Sequence, residues 1–419
     1  MVEIYQYLLI SICIGLLGWG IIRVERIYQY PFFMGSMFTS FVLPQIFSLI
    51  HKPGAVSQEA LERVILVSCL CAATCWIGYA SKPSKKWLAK LNVPIDESKL
   101  FKAGLVLMAQ GHLFNFLLSR TVVQRADNGG TWTGPATIYL FFSQVTNIAF
   151  GIFLLQALKR PKPITIICTL ISAWPLISSI LVGRRQGTMT FIIIIGLSFY
   201  LVRRYVPPRV LVVTAILMMT LIIPALGVIR GEFWNLLFSG QWQQLSSIIQ
   251  SAFEFQQSGD ILEMRNAALL MDAVEKTGLY GYGSGWWDSI IFQYVPGQIV
   301  GQTFKESLQF HLLDFDLLQK LYGYTVPTGS TITGIGDSFM EFSFLGFLIF
   351  GIIGYVFKTL WISSLYYQST YSRLLYMGLV SPAMVGLTHG IGRFWQEGIF
   401  QVFFVSAAIY YSRVKYRFK

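Results

Sequence analysis

Charge is scarce in this chain. Only 12% of its 419 residues are Asp, Glu, Lys or Arg, while 54% are hydrophobic and 16% aromatic; mean hydropathy is +0.57. That balance excludes an ordinary soluble globule. Cysteine is scarce too. The five, Cys13, Cys69, Cys71, Cys75 and Cys168, all fall inside apolar stretches. No His or acid accompanies the Cys69–Cys71–Cys75 group, so neither a disulfide framework nor a zinc site is expected. The first apolar run lacks a basic leader and a small-residue cleavage site, which predicts a retained helix. No internal repeat is found. The net charge of +12 is not gathered in one patch. Basic residues sit in short loops between apolar runs, which argues against a nucleic-acid interface and marks topology.

What the chain has in abundance is apolar runs of bilayer length. About eleven spans are expected, near 4–22, 31–50, 63–81, 103–120, 135–158, 163–182, 187–202, 210–229, 338–361, 374–390 and 396–412. Basic segments follow the third ("SKPSKKWLAK"), fifth ("KRPKP"), seventh ("RRYVPPR") and eleventh ("SRVKYRFK"). All four follow odd-numbered spans, so one orientation satisfies them: N-terminus outside, C-terminus in the cytoplasm. In that orientation about 20 Lys and Arg against about 3 acids lie inside, and about 12 against 17 lie outside, as the positive-inside bias requires.

The outer arginines run against that bias. Arg184 and Arg185 stand between two apolar runs in "SSILVGRRQGTMTFIIIIG". Arg120, Arg230 and Arg393 are also placed at outer helix ends. One such arginine is accounted for by snorkelling to lipid phosphates; a pair with three companions points to an anion site. Guanidinium groups bind phosphate oxygens bidentately, and a lipid-linked pyrophosphate lies at headgroup depth. In a glycosyl transfer that pyrophosphate gains negative charge as it leaves, and fixed cations stabilise it. Clustered cations repel unless an anion sits among them, so these helix ends are expected to converge on one ligand. A sugar hydroxyl would attack, and a His or carboxylate would take its proton. The candidates are His389, Asp337 and Glu341. His389, Arg393 and Glu397 share a face if the helix continues through them, although Gly390 and Gly392 allow a turn instead. Asp337 and Glu341, in "GIGDSFMEF", otherwise read as cap residues.

One connection is exceptional. Residues 231–336 join the eighth and ninth spans, where other loops are short. The stretch contains amphipathic segments and the aromatic, Gly-rich "LYGYGSGWWDSIIFQYVPGQIVGQTF". It is expected to form a helical cap on the outer surface, with Trp286, Trp287, Tyr280 and Tyr282 either anchoring it at headgroup level or meeting a sugar. The chain thus divides into 1–230, 231–336 and 337–419, forming one integrated all-α, polytopic membrane domain.

The turn "GRRQG" leading into a span, the late external loop, and "GSTITGIGDSFMEFSFLGFLIFGIIGYVF" together resemble the O-antigen and oligosaccharide repeat-unit polymerases (Wzy-type), which are related to the O-antigen ligases. The resemblance implies a GT-C-like, metal-independent membrane glycosyltransferase without a cofactor, in the cytoplasmic membrane, active on its extracytoplasmic face. Its substrate would be an undecaprenyl-pyrophosphate-linked oligosaccharide, moved onto the next lipid-linked unit. A chain-length regulator protein is a further partner to consider. By motif position the family's essential arginines map to Arg184 and Arg185; in the ligase branch the counterparts of a His and an Arg are His389 and Arg393. A ligase with another acceptor, and a flippase or transporter of lipid-linked oligosaccharide, are the alternatives. A transporter should carry midspan charge and repeat symmetry. A transferase of lipid-phosphate sugars with an acidic first external loop is disfavoured, because Glu59 and Glu62 are not adjacent.

Overall fold

The structure is a computed structural model that describes residues 1–122, 124–125, 132–228, 233–258, 262–312, 316–327 and 329–414. It is helical. Among the described residues, strand structure is limited to a two-residue ladder pairing Gln124 with Thr133 and Arg125 with Trp132, and an isolated bridge between Ile95 and Arg413. Eight segments among the described residues are long and apolar enough to cross a bilayer: Val2–Ile22, Tyr30–His51, Gln58–Ala80, Glu97–Arg120, Pro135–Lys159, Pro163–Leu181, Arg185–Arg203 and Thr333–Leu365. This is the architecture of a multi-pass helical membrane protein. The remaining expected spans also form helices, Arg209–Val228, Thr370–His389 and Ile391–Ser412.

Local chemistry sets the helix ends. Ser57 starts Gln58–Ala80 by accepting the Ala60 N–H at 3.2 Å, and Asp96 starts Glu97–Arg120 by accepting those of Ser98 and Lys99, as N-cap side chains do. Tyr30–His51 carries a π-turn at Phe38–Val42. Pro44 has no N–H to give the Ser40 carbonyl, which favours a local change of pitch there.

The ninth expected span, 338–361, is not one straight helix. A helix Thr333–Phe342 stops at Ser343, whose φ is +52°. A 3-10 turn Ser343–Phe347 follows, and Leu348–Leu365 resumes. Gly346 lies so close under the Ser338 carbonyl that a Cβ would overlap it, so the chain folds back on itself. At about 1.5 Å per residue the first piece reaches only about 15 Å, half a hydrocarbon core. From Thr333 to Glu341 every residue is buried. Small residues make that packing close: a Cβ on Gly334 would strike the Gly386 carbonyl, and one on Gly336 would lie 2.9 Å from Ala267 Cβ.

The chain forms two compact units. The first comprises Met1–Ser81, Pro207–Val356 and Pro382–Gln396; the second comprises Lys82–Val206, Phe357–Ser381 and Glu397–Lys419. Both are discontinuous, so the segments 1–230, 231–336 and 337–419 do not correspond to them. In the second unit Glu97–Arg120, Pro135–Lys159, Pro163–Leu181 and Arg185–Arg203 pack in series. Phe150 stacks on Phe191 at 5.6 Å and Tyr200 on Trp361 at 5.6 Å.

In the first unit the long connection does more than cap a surface. Its helix Glu263–Thr277 is buried continuously from Asn266 to Val274, against Tyr30–His51, Gln58–Ala80 and Thr333–Phe342. Polar contacts satisfy it. Gln45 accepts the Met264 N–H at 3.0 Å. Asn266 donates to the Thr331 carbonyl at 2.8 Å and accepts from Tyr324 Oη at 2.6 Å. Asp272 accepts from Arg63 at 3.2 Å, from Lys276 at 2.7 Å and from Tyr322 Oη at 2.6 Å. Burial alone would raise the Asp272 carboxyl, but the bonds from Lys276, Tyr322 and Arg63 outweigh it and hold it below the usual carboxylate range. Burial, followed by the bond to Asp272, pushes the Tyr322 phenol up to about 12.

Replacing Asp272 with Ala should destabilise the protein by about 3 kcal/mol, the lower end for breaking a buried ion pair. Because the folded value is depressed, this stabilisation is present above the unfolded value of about 3.9 and is lost as pH falls through the lower folded value. Thermal midpoints in detergent across pH 3–7 are the measurement. Equal midpoints for wild type and variant at pH 7 would count against the anchoring role.

Candidate functional site

A cavity of about 400 Å³ lies within the first unit. Asp337 and Met340 of Thr333–Phe342 line it. So do His389, Gly390, Gly392, Arg393 and Gln396, from the junction of two helices, and Gly285, Asp288, Ser289 and Phe292 of helix Ser284–Tyr294. Gln309, His311 and Ile332 complete it. The volume suits a small polar ligand or one end of a larger one.

The junction is built around Asp337. Helix Thr370–His389 ends at His389. Gly390 takes φ +110°, and Ile391–Ser412 begins at once. That positive φ is open to Gly and costly for other residues. It brings the turn against the Asp337 carboxylate, where a Cβ on Gly390 would lie 3.1 Å from Oδ2. The same Oδ2 accepts the Gly392 N–H at 3.0 Å. A Cβ on Gly392 would in turn lie 2.8 Å from Ser289 Oγ. The two glycines of "HGIG" therefore let one turn sit between a carboxylate and a neighbouring helix. Asp337 is 6% exposed.

The break decides an alternative open in the sequence. His389 and Arg393 do not share a continuous helix. His389 is exposed, and its Nδ1 is 2.7 Å from Thr388 Oγ1. The Thr388 carbonyl accepts from Thr331 Oγ1 at 2.6 Å, which fixes the helix end. Arg393 is half-buried and donates to Gln396 Oε1 at 3.2 Å. Gln396 is held in turn: its Nε2 donates to the Ser289 carbonyl at 2.7 Å, and its carbonyl accepts from Tyr294 Oη at 2.6 Å.

Glu341, one helical turn beyond Asp337, is 0% exposed and is not among the residues lining the cavity. Its Oε2 accepts the Gly283 N–H at 2.6 Å, and its carbonyl accepts that of Tyr282 at 2.9 Å. It clamps the "YGYGSG" segment, and a Cβ on Gly281 would strike the carboxylate. Of the aromatics expected at headgroup level, Tyr282 and Trp287 are exposed. Trp286 lies against Phe342 and Trp395, with centroids at 5.3 and 6.4 Å.

None of the other candidate cations among the described residues lines this cavity. Arg184 and Arg185 belong to the second unit and are exposed. Gly183 turns with φ +75°, Arg184 caps Arg185–Arg203, and Gly187 fits against Ser179, 2.6 Å from a Cβ placed there. Gln186 donates to both oxygens of Glu397, at 2.9 and 2.8 Å. Glu397, expected on the face of Arg393, thus pairs with the GRRQG turn. Arg120 is exposed at the end of Glu97–Arg120, over the Phe116 ring at 5.5 Å. Arg230 lies outside the described residues.

Comparison with protein-family models, curated proteins and solved structures finds no match to this chain. The reading of the site therefore rests on its chemistry. Asp337, His389 and Arg393, from two separate motifs, do line one cavity. Sequence reasoning missed Asp288, Gln396 and His311. "WWDS" and "FHLLD" read only as aromatic and amphipathic; the available signal was that His311 is one of four histidines.

The Gly390→Ala variant should lose about 1–3 kcal/mol, the cost of a residue forced into a sparsely populated backbone region, and should disturb the cavity wall. Gly301, with φ +94° but nothing within 4 Å of its Cβ position, is the control that tests the backbone cost. Detergent melting of both alanine variants measures the difference; equal losses would show that the Asp337 contact adds nothing.

Proposed function

We propose that this chain is a membrane glycosyltransferase that polymerises lipid-linked oligosaccharide repeat units. The glycan moves from undecaprenyl pyrophosphate to the next lipid-linked unit on the outer face of the cytoplasmic membrane. The observation that carries this reading is the cavity that gathers two aspartates, two histidines and an arginine in a protein otherwise poor in charge. Polar groups are costly to place inside an apolar membrane protein and are retained where they act. The resemblance of "GRRQG" and "GIGDSFMEFSFLG" to the polymerases supplies the substrate class. In the accompanying topology the chain crosses eleven times, with its N-terminus and residues 231–336 outside.

The chemistry follows from the roles these groups can take. A hydroxyl of the acceptor sugar attacks the anomeric carbon of the donor, and the bond from that carbon to the pyrophosphate oxygen breaks. The pyrophosphate leaves with the electron pair, and the hydroxyl proton passes to His389. Arg393 binds the leaving phosphate, and the resemblance to the polymerases assigns pyrophosphate contact to Arg184 and Arg185. Asp337 positions the turn that carries His389 and Arg393. Glu341 holds the Gly-rich segment, and Arg120 anchors its helix at the interface.

Membranes containing the protein and a lipid-linked repeat unit should produce polymer. Arg393→Ala, and the double variant Arg184→Ala with Arg185→Ala, should each slow it by at least about 100-fold, the range for losing a charge-stabilising donor, and leave single units on the lipid. Lysine should rescue poorly, because it lacks the bidentate fork. Normal polymer from both variants at normal protein levels would refute the role of the arginines. Transfer to a different acceptor would identify a ligase, and translocation of lipid-linked sugar without bond formation would identify a transporter.

A further inference from the structure

One wall of the cavity is fastened in a way the scheme above does not use. Residues 308–311 are laced along helix Ser284–Tyr294 by four hydrogen bonds at two adjacent positions. Trp287 Nε1 donates to the Leu308 carbonyl at 2.9 Å, and Gln309 Nε2 donates to the Asp288 carbonyl at 3.3 Å. The Asp288 carboxylate accepts the Phe310 N–H at 2.8 Å through Oδ1 and the His311 N–H at 2.9 Å through Oδ2. Both oxygens are thus engaged by backbone.

His311 is then held at φ +49°, a left-handed conformation that is uncommon for a residue with a Cβ. Glycine would adopt it without strain. His311 lines the cavity with His389 and Arg393. The two cavity acids are spent on the protein itself: Asp337 Oδ2 on the Gly392 N–H, Asp288 on Phe310 and His311. The lining also holds one guanidinium, that of Arg393, and two histidines, His311 and His389. With carboxylate oxygens of both acids engaged by backbone N–H groups, Arg393 and the two histidines are the side chains that can meet an anion.

We infer that His311 is a phosphate-contacting residue of this cavity and that Asp288 is its positioning residue, holding the backbone in the strained conformation that presents the ring. Strain of this kind persists where surrounding contacts over-determine it, and it concentrates at ligand sites. The inference rests on the reading of the cavity as the pyrophosphate site. It adds a residue from the long connection, so both chain segments flanking the cavity contribute to one phosphate.

Inorganic pyrophosphate is the probe, read by thermal shift of the full-length protein in detergent and by inhibition of polymer formation. Wild type should be stabilised by it. His311→Ala should bind it at least tenfold more weakly. His311→Gly should bind equally weakly while melting at or above the wild-type temperature, because it relieves the backbone; a residue kept for structure alone would not show that combination. Asp288→Asn, which turns one acceptor into a donor facing an N–H, should weaken binding in wild type but add little to His311→Gly. No pyrophosphate shift in wild type would overturn the cavity as an anion site, and the assignment with it. A wild-type shift that His311→Ala and His311→Gly leave unchanged would overturn the assignment alone.

Discussion

The cavity depends on how closely the backbone approaches one carboxylate. Asp337 is buried, and its Oδ2 is met by the Gly392 N–H at 3.0 Å while Gly390 passes beside it. A side chain at Gly390 would face two penalties at once, a positive φ and an occupied space. The contact ends one helix and starts another, and so sets where His389 and Arg393 stand. It also ties the Thr333–Phe342 helix to that junction. The helix comes near enough because Gly334 and Gly336 remove the side chains that would otherwise hold Gly386 and Ala267 away. In a membrane, where lipid is as apolar as the interior, such close packing is the main source of helix adhesion.

A second constraint is the burial of the Glu263–Thr277 helix. Two of its hydrophilic residues are taken out of solvent. Asn266 and Asp272 are buried and engaged by Tyr324, Tyr322, Arg63 and Lys276. Breaking any of these leaves a desolvated polar group, so the network specifies one seating of the long connection. The Ser284–Tyr294 helix and the 308–311 segment follow in the same connection, and they bring Asp288, Ser289 and His311 to the cavity.

The electrostatic pattern is consistent across the first unit. Four buried or cavity-lining acids are engaged by the protein: Asp337 and Asp288 by backbone N–H groups, Glu341 through Oε2 by Gly283, and Asp272 by cations and a phenol. Basic and amide groups face the cavity. A low-dielectric surround strengthens what such donors do to an incoming anion and raises the cost of leaving polar groups unpaired. In the second unit a comparable economy appears at the GRRQG turn, where Gln186 and Glu397 lock the turn that carries two exposed arginines.

What the sequence by itself determined was local. Hydropathy over windows of about 20 residues marks helices because each must satisfy its own backbone in lipid; helices stand at the expected positions among the described residues, the ninth broken at Ser343. The "GRRQG" turn was legible because Gly183 and two charges interrupt an apolar run. Asp337, His389 and Arg393 could be singled out because charge in such a chain is rare. The tertiary structure decided the rest. Whether "HGIG" continues a helix or turns depends on the Asp337 carboxylate more than fifty residues earlier. The break at Ser343 depends on Gly346 meeting Ser338. The seating of Glu263–Thr277 depends on Arg63, some two hundred residues away. Asp288 and His311 gain meaning only where Ser284–Tyr294 lies beside the 308–311 segment. Periodicity and composition record what each stretch buries; they do not record which distant groups meet, because that pairing is set by packing between elements far apart in the chain.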